Sequence, residues 1–177
     1  MIKFRRENDE VLYPEQDVVA VDKSCLDELK RLAQLNPRQR VRLCTHRSPD
    51  DSLHEMFIVH MRDCYVRPHK HLGKSESMTI LEGEVDVVLF HEDGSIRQII
   101  RMGAPETGKI FYQRLSDPIY HTLIIRTEFL VFKECTEGPF LRENIVFPEW
   151  APEAQGGASR AFTDRIELLI STKGSLK

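Results

Sequence analysis

The sequence predicts an all-β protein built on one small β-barrel. Two observations carry this. From Arg40 to Thr136 the chain breaks into eight or nine short apolar or alternating segments separated by turn-forming residues, with almost no helical periodicity among them. The 177 residues, 41% hydrophobic and 30% charged, also suit one globular domain with terminal extensions. The expected division is 1–37 for an N-terminal arm and helix, 38–138 for the barrel and 139–177 for a C-terminal extension.

In chain order, Val18–Val21 reads as a short edge strand. Ser24 reads as a helix N-cap, with Asp27 completing an approximate capping box. Leu26, Leu29, Leu32 and Ala33 keep helical spacing, so one amphipathic helix is expected over 25–35. Asn36-Pro37 ends it. In Arg40–His46, Val41 and Leu43 alternate with Arg40, Arg42 and Cys44. After the turn at Ser48–Asp51, His54–Met61 is apolar on both faces, as in a strand between two layers. Cys64–His71 and Ser77–Glu82 follow, and Gly83 permits a tight reversal into Val85–His91. Asp93-Gly94 centres a hairpin turn that returns as Ile96–Met102. Ile110–Arg114, Tyr120–Arg126 and Glu128–Thr136 are the remaining strands. Pro139, Pro148, Pro152 and Gly156-Gly157 mark 137–157 as an irregular arm. Over 161–171 the periodicity is mixed, and helix and strand both remain open.

The net charge of −3, with no basic block, gives no reason to expect a nucleic-acid partner. Cys25, Cys44, Cys64 and Cys135 form no CxxC pair, which argues against a zinc ribbon or redox motif and for buried small side chains. The first residues lack the apolar core of a signal peptide, and no apolar run approaches the ~20 residues that span a bilayer. The expectation is a cytoplasmic protein with no membrane partner.

Chemistry concentrates in Pro68–Glu76. In an extended strand, His69 and His71 point to one face. Glu76 lies beyond a short polar segment and can return an oxygen to the same point. Two imidazoles and a carboxylate suit a divalent transition metal at an open site. A fourth ligand should come from another strand. Among the seven histidines, His121 stands at a strand entry where a barrel mouth would lie. His46 and His91 read as surface residues, and His54 and His60 as structural ones beside an apolar strand.

The spacing His69-x-His71-x4-Glu76-x6-Gly83 matches the first cupin motif, HxH-x4-E-x6-G, position for position. Pro118-Ile-Tyr-His121 resembles the second motif, which supplies a third histidine. It departs in having Pro118 three residues before the histidine, no glycine, and Ile125 where asparagine is usual. Asp63 also replaces the glycine that opens the first motif. Asn36–Arg40, Cys44-Thr-His46, Pro68–His71, Leu89-Phe90 and Leu115–Pro118 together resemble the WbuC-type cupin-fold metalloproteins of bacterial surface-polysaccharide gene clusters. The likeness runs from about Ser24 to Phe140. It implies a small cupin barrel of the double-stranded β-helix or jelly-roll kind, a preceding helix, and a bound metal held by His69, His71, Glu76 and His121. It implies no established reaction.

Imidazole with carboxylate suits Fe, Mn, Zn, Ni or Co. Arg42 and Lys74 are candidate substrate-binding residues. Arg42 enters the barrel if Val41 and Leu43 face the outer layer. Tyr112 and Tyr120 are candidate catalytic residues near the mouth, able to bond a sugar hydroxyl or act as general acids. The sequence supports a metal-dependent enzyme on a small-molecule ligand such as a sugar derivative. Two alternatives stay open. One is a non-catalytic metal- and ligand-binding accessory protein of polysaccharide biosynthesis, the other a barrel with a structural metal. The apolar face of helix 25–35 suggests a homodimer.

Overall fold

Alternation along β3 (Arg40–Cys44) decides the layering. Val41 and Leu43 pack against the helix α1 (Lys23–Leu35), in a cluster with Leu29, Leu32 and Ala33. Cys44 faces the other way, into the barrel core. The structure, a computed structural model, describes residues 3–173.

The remaining strands are β1 (Phe4–Arg6), β2 (Val11–Pro14), β4 (Leu53–Met61), β5 (Lys70–His71), β6 (Glu76–Glu82), β7 (Glu84–Phe90), β8 (Ile96–Gly103), β9 (Tyr112–Leu115), β10 (Tyr120–Ile125), β11 (Phe129–Glu137) and β12 (Ile145–Val146); the helix α2 (Gly157–Lys173) closes the described chain. Seven strands form one sheet in the order β1-β2-β3-β4-β11-β6-β9, three form a second as β10-β7-β8, and β12 pairs with β5. Only β2 and β3 pair in parallel within these sheets.

The large and small sheets face each other. Met56, Ile58, Met78, Ile80 and Phe132 from one meet Val85, Val87, Leu89, Leu123 and Ile125 from the other. α1 covers the outer face of the large sheet, and α2 covers that of the small one through Ile166 and Ile170, which pack on Val88, Phe90, Tyr120 and Ile124. This is the expected all-β class, a small two-sheet β-fold with an N-terminal helix, its sheets facing each other rather than closed into one ladder. β4 and β7 are apolar on both faces because each lies between the core and a helix. No helix among the described residues is long and apolar enough to cross a membrane.

Four expectations change. Val18–Val21 is not a strand; the edge pairing is made by β1 and β2. The N-cap of α1 is Asp22, whose Oδ1 accepts from Cys25 N at 2.9 Å, while Ser24 Oγ donates to the same oxygen. The open segment at 161–171 is helical. Phe162, Ile166 and Ile170 recur every four residues, and Asp86 binds Arg126, which binds Glu167 of α2, adding charge to that apolar stripe. The apolar face of α1 is spent on its own sheet, so it offers no argument for a dimer.

Candidate metal centre

Three separate pieces of chain bring the histidines together. His69 and His121 form an antiparallel bridge outside the named strands: His69 N donates to His121 O at 3.1 Å, and His121 N donates to His69 O at 2.9 Å. His71 lies in β5, which the C-terminal arm pins through β12 and through Leu72 N donating to Asn144 O at 2.8 Å. Glu76 opens β6, opposite Leu115 of β9.

The ligating nitrogens of His69, His71 and His121 all lie within 4.8 Å of one another. Donors about 2.1 Å from one ion stand at most about 4.2 Å apart, so the cluster is close to the size an ion needs. The Glu76 carboxyl spans two of the rings, with Oε1 3.1 Å from His121 Nε2 and Oε2 3.4 Å from His71 Nε2. Nδ1 of His69 donates to Arg67 O at 2.8 Å and Nδ1 of His121 to Ile119 O at 3.0 Å. Those bonds put the proton on Nδ1 and leave Nε2 with its lone pair free. The residues present therefore fit a divalent metal.

Burial sets the charge states. It pushes His69 down to about 3, helped by His121, and takes His121 and His71 down to about 4. All three rings are neutral at pH 7, the form that ligates. Burial raises Glu76 to about 7, well above the usual carboxylate range.

The other sequence candidates fall differently. Arg42 projects from the barrel-facing side of β3, the side opposite Val41 and Leu43, and is exposed. Lys74 donates to the carbonyl of Pro139, and its charge helps depress His71. Tyr112 and Tyr120 do not join the cluster. Tyr112 is 49% exposed and alternates with Gln113 and core-facing Leu115, so it points outward. Tyr120 is buried under Trp150 at a ring separation of 5.7 Å, on the face of β10 opposite His121.

His46 is also not a surface residue. It is buried and stacks on His54 with ring centroids 4.0 Å apart, Tyr13 meeting it edge-on. Sequence reading missed Phe147, whose ring lies 6.1 Å from that of His69 and under the Arg67 guanidinium. It also missed Glu134. There a signal exists: Leu130, Phe132 and Glu134 share one face of β11, so a carboxyl continues an apolar row.

A family profile described as a domain of unknown function (DUF6016) matches residues 21–102. No curated protein matches the chain. Among solved structures, the formate complex of oxalate decarboxylase from Lactobacillus farciminis is similar over 55% of this chain and 27% of that chain, at 13% identity and a TM-score of 0.44. A mutant of Bacillus subtilis oxalate decarboxylase matches 55% of this chain and 24% of its own, at 16% identity and a TM-score of 0.43. Protein SO0799 from Shewanella oneidensis matches 58% of this chain and 66% of its own, at 8% identity and a TM-score of 0.47. The matched region thus spans about a quarter of the oxalate decarboxylases. No activity transfers at this level of similarity, so the chemistry rests on the geometry of the site.

Proposed function

We propose that the protein is a metal-binding cupin in which His69, His71, Glu76 and His121 hold one divalent transition metal, and that it acts as a metal-dependent enzyme on a small polar metabolite. The carrying observation is the convergence of three neutral imidazoles within 4.8 Å, two of them with Nδ1 already committed to backbone carbonyls. Held by these four side chains, a divalent metal would supply Lewis acidity toward a carbonyl, carboxylate or hydroxyl of the metabolite. The chain's own part is to fix the ring orientations, keep the imidazoles unprotonated and bury one wall of the site. The resemblance to WbuC-type proteins favours a sugar derivative as the metabolite.

Elemental analysis tests the centre. About one equivalent of metal in the purified protein is expected, and a large loss in each of His69→Ala, His71→Ala and His121→Ala. Unchanged metal content in all three overturns it. Turnover is tested by screening sugars and sugar acids with Fe, Mn, Zn, Ni and Co under aerobic and anaerobic conditions.

One observation favours a second reading, a non-catalytic accessory protein of polysaccharide biosynthesis. Neither candidate tyrosine reaches the cluster, so neither stands ready there as a general acid. A metal-loaded protein that binds a sugar derivative and returns it unchanged supports this reading.

A further inference from the structure

The barrel-facing side of the large sheet carries a polar row beside the metal centre. Met56 of β4 pairs with Glu134 of β11, Glu134 with Met78 of β6, and Met78 with Gln113 of β9. Directly paired residues share a face. Met56 and Met78 belong to the core between the sheets, so Glu134 and Gln113 project into the barrel as well. The next rung along the same strands contains Glu76. On the other side, one rung further, Arg42 pairs with Ile58.

These polar groups make no side-chain hydrogen bond or ion pair among the described residues. Gln113 Oε1 is buried and makes no hydrogen bond. The Glu134 carboxyl is raised to about 8 by burial first and the Glu76 carboxylate second, with Arg42 opposing, and no hydrogen bond contributes. Arg42 has no ion pair among the described residues, although Glu134 feels its charge. Buried polar groups are almost always satisfied, and each exception asks for a reason. Gln113 is such an exception, and its rung also holds the Glu134 carboxyl, between a guanidinium and the candidate metal site; a ligand bonded to both would supply the missing partner.

The chemistry selects that ligand. A carboxyl accepts and a side-chain amide both donates and accepts, and a hydroxyl is the group that answers both. The methionines on the same rung offer apolar contact to a carbon skeleton. Arg42 supplies one positive charge toward a region that already holds two carboxyls, which favours a monoanion over a phosphate dianion.

We propose that Arg42, Glu134 and Gln113 form the ligand-reading wall of the barrel and take a polyhydroxylated carboxylate of the sugar-acid type, its hydroxyls on Glu134 and Gln113 and its carboxylate on Arg42. This rests on the proposed metal centre only for the identity of the reacting end.

Calorimetric titration of the purified protein with D-gluconate, sorbitol, hexanoate and sorbitol 6-phosphate tests it. Gluconate is expected to bind at least tenfold more tightly than the other three. Arg42→Ala should reduce gluconate to the affinity of sorbitol. Glu134→Leu and Gln113→Leu should each lose at least tenfold for gluconate while raising thermal stability, because an apolar side chain removes an unsatisfied polar group. Equal affinities, no gluconate binding, preference for the phosphate ester, or leucine variants that bind like the wild type overturn the proposal. Leucine variants that lose stability along with affinity do so too, since that marks a structural role. Metal content is measured on the same samples. A metal-free protein that still prefers gluconate sinks the centre and keeps the wall; full metal without that preference does the reverse.

Discussion

Acidifying the metal-free protein from pH 7 to pH 5 is expected to destabilise it steeply. Burial is the largest cause pushing His60 and His69 down to about 3 and His71 and His121 down to about 4 in the folded state. A depressed pKa gives stability that is present above the unfolded value, near 6.5, and is lost as pH falls toward the folded one. Glu76 and Glu134 run the other way. Burial raises them to about 7 and about 8, which favours the fold below their unfolded value near 4.5 and is lost as pH rises through the folded values.

At pH 5 the unfolded chain holds nearly four protons on these four imidazoles, and the folded chain nearly none. The two carboxyls keep their protons when folded and release most of them on unfolding. Unfolding then takes up about two protons net, a slope of about 3 kcal/mol per pH unit. Above pH 7 the imidazoles are neutral in both states and only the carboxyls act, so stability falls by less than about 1 kcal/mol per unit. The optimum lies a little below pH 7. Urea titrations of chelator-stripped protein at pH 5, 6, 7 and 8 read this profile directly. Stability that is flat or rising from pH 6 to pH 5, or greatest at pH 8, refutes the assignment of buried neutral imidazoles and raised carboxyls. Glu134→Leu should flatten the alkaline arm and leave the acid arm in place.

Three further outcomes are expected. Metal at a thousand times its dissociation constant should stabilise the fold by about 4 kcal/mol, raising Tm by roughly 10 °C, and His71→Ala should abolish the shift in calorimetric scans. Gly83→Ala should cost about 3 kcal/mol by urea denaturation: φ is +85°, and a Cβ would meet Phe129 O at 2.2 Å and Thr127 Oγ1 at 2.4 Å, displacing a hydroxyl that bonds Glu84 N and Phe129 O. Trp150→Ala should cost about 2 kcal/mol, less than a fully buried aromatic. It should also speed amide exchange in α2, because the indole packs on Phe90, Tyr120 and Phe162 and donates to Glu92 O.

The parts of the fold legible in the sequence are those whose signal is local. The longer strands from β3 to β11 announce themselves by alternation or by short apolar runs, and by Gly83 and Gly94, which hold positive φ where a reversal needs it. The pairing of His69 with His71 is equally local, since two residues apart in extended chain is a shared face. What escaped depends on contacts far apart in sequence. Tyr120 reads as a mouth residue until the partner of its face is known, and that partner, Trp150, arrives thirty positions later from an arm with no periodicity of its own. β12 is two residues long and exists because it pairs with β5. His46 looks like the exposed end of a strand. The ring of His54 buries it, and no spacing rule links the two.

The same separation explains why the candidate site should tolerate dissection. Its geometry is held by main chain: His69 and His121 exchange two backbone hydrogen bonds, Leu72 is tied to Asn144, and Glu76 sits in a ladder between β11 and β9. None of these bonds uses an imidazole or a carboxyl. Removing the ring of His69 or His121 takes away one Nδ1 bond to a carbonyl, while the backbone bridge that positions the other candidate side chains stays. Imidazoles held neutral by burial carry no charge at pH 7, so an alanine there removes no charged group from the fold. Loss of metal without loss of fold is the pattern a functional centre gives. A structural metal, whose binding free energy is itself folding free energy, gives collapse instead. That contrast separates the two kinds of site more sharply than any inventory of the ligands.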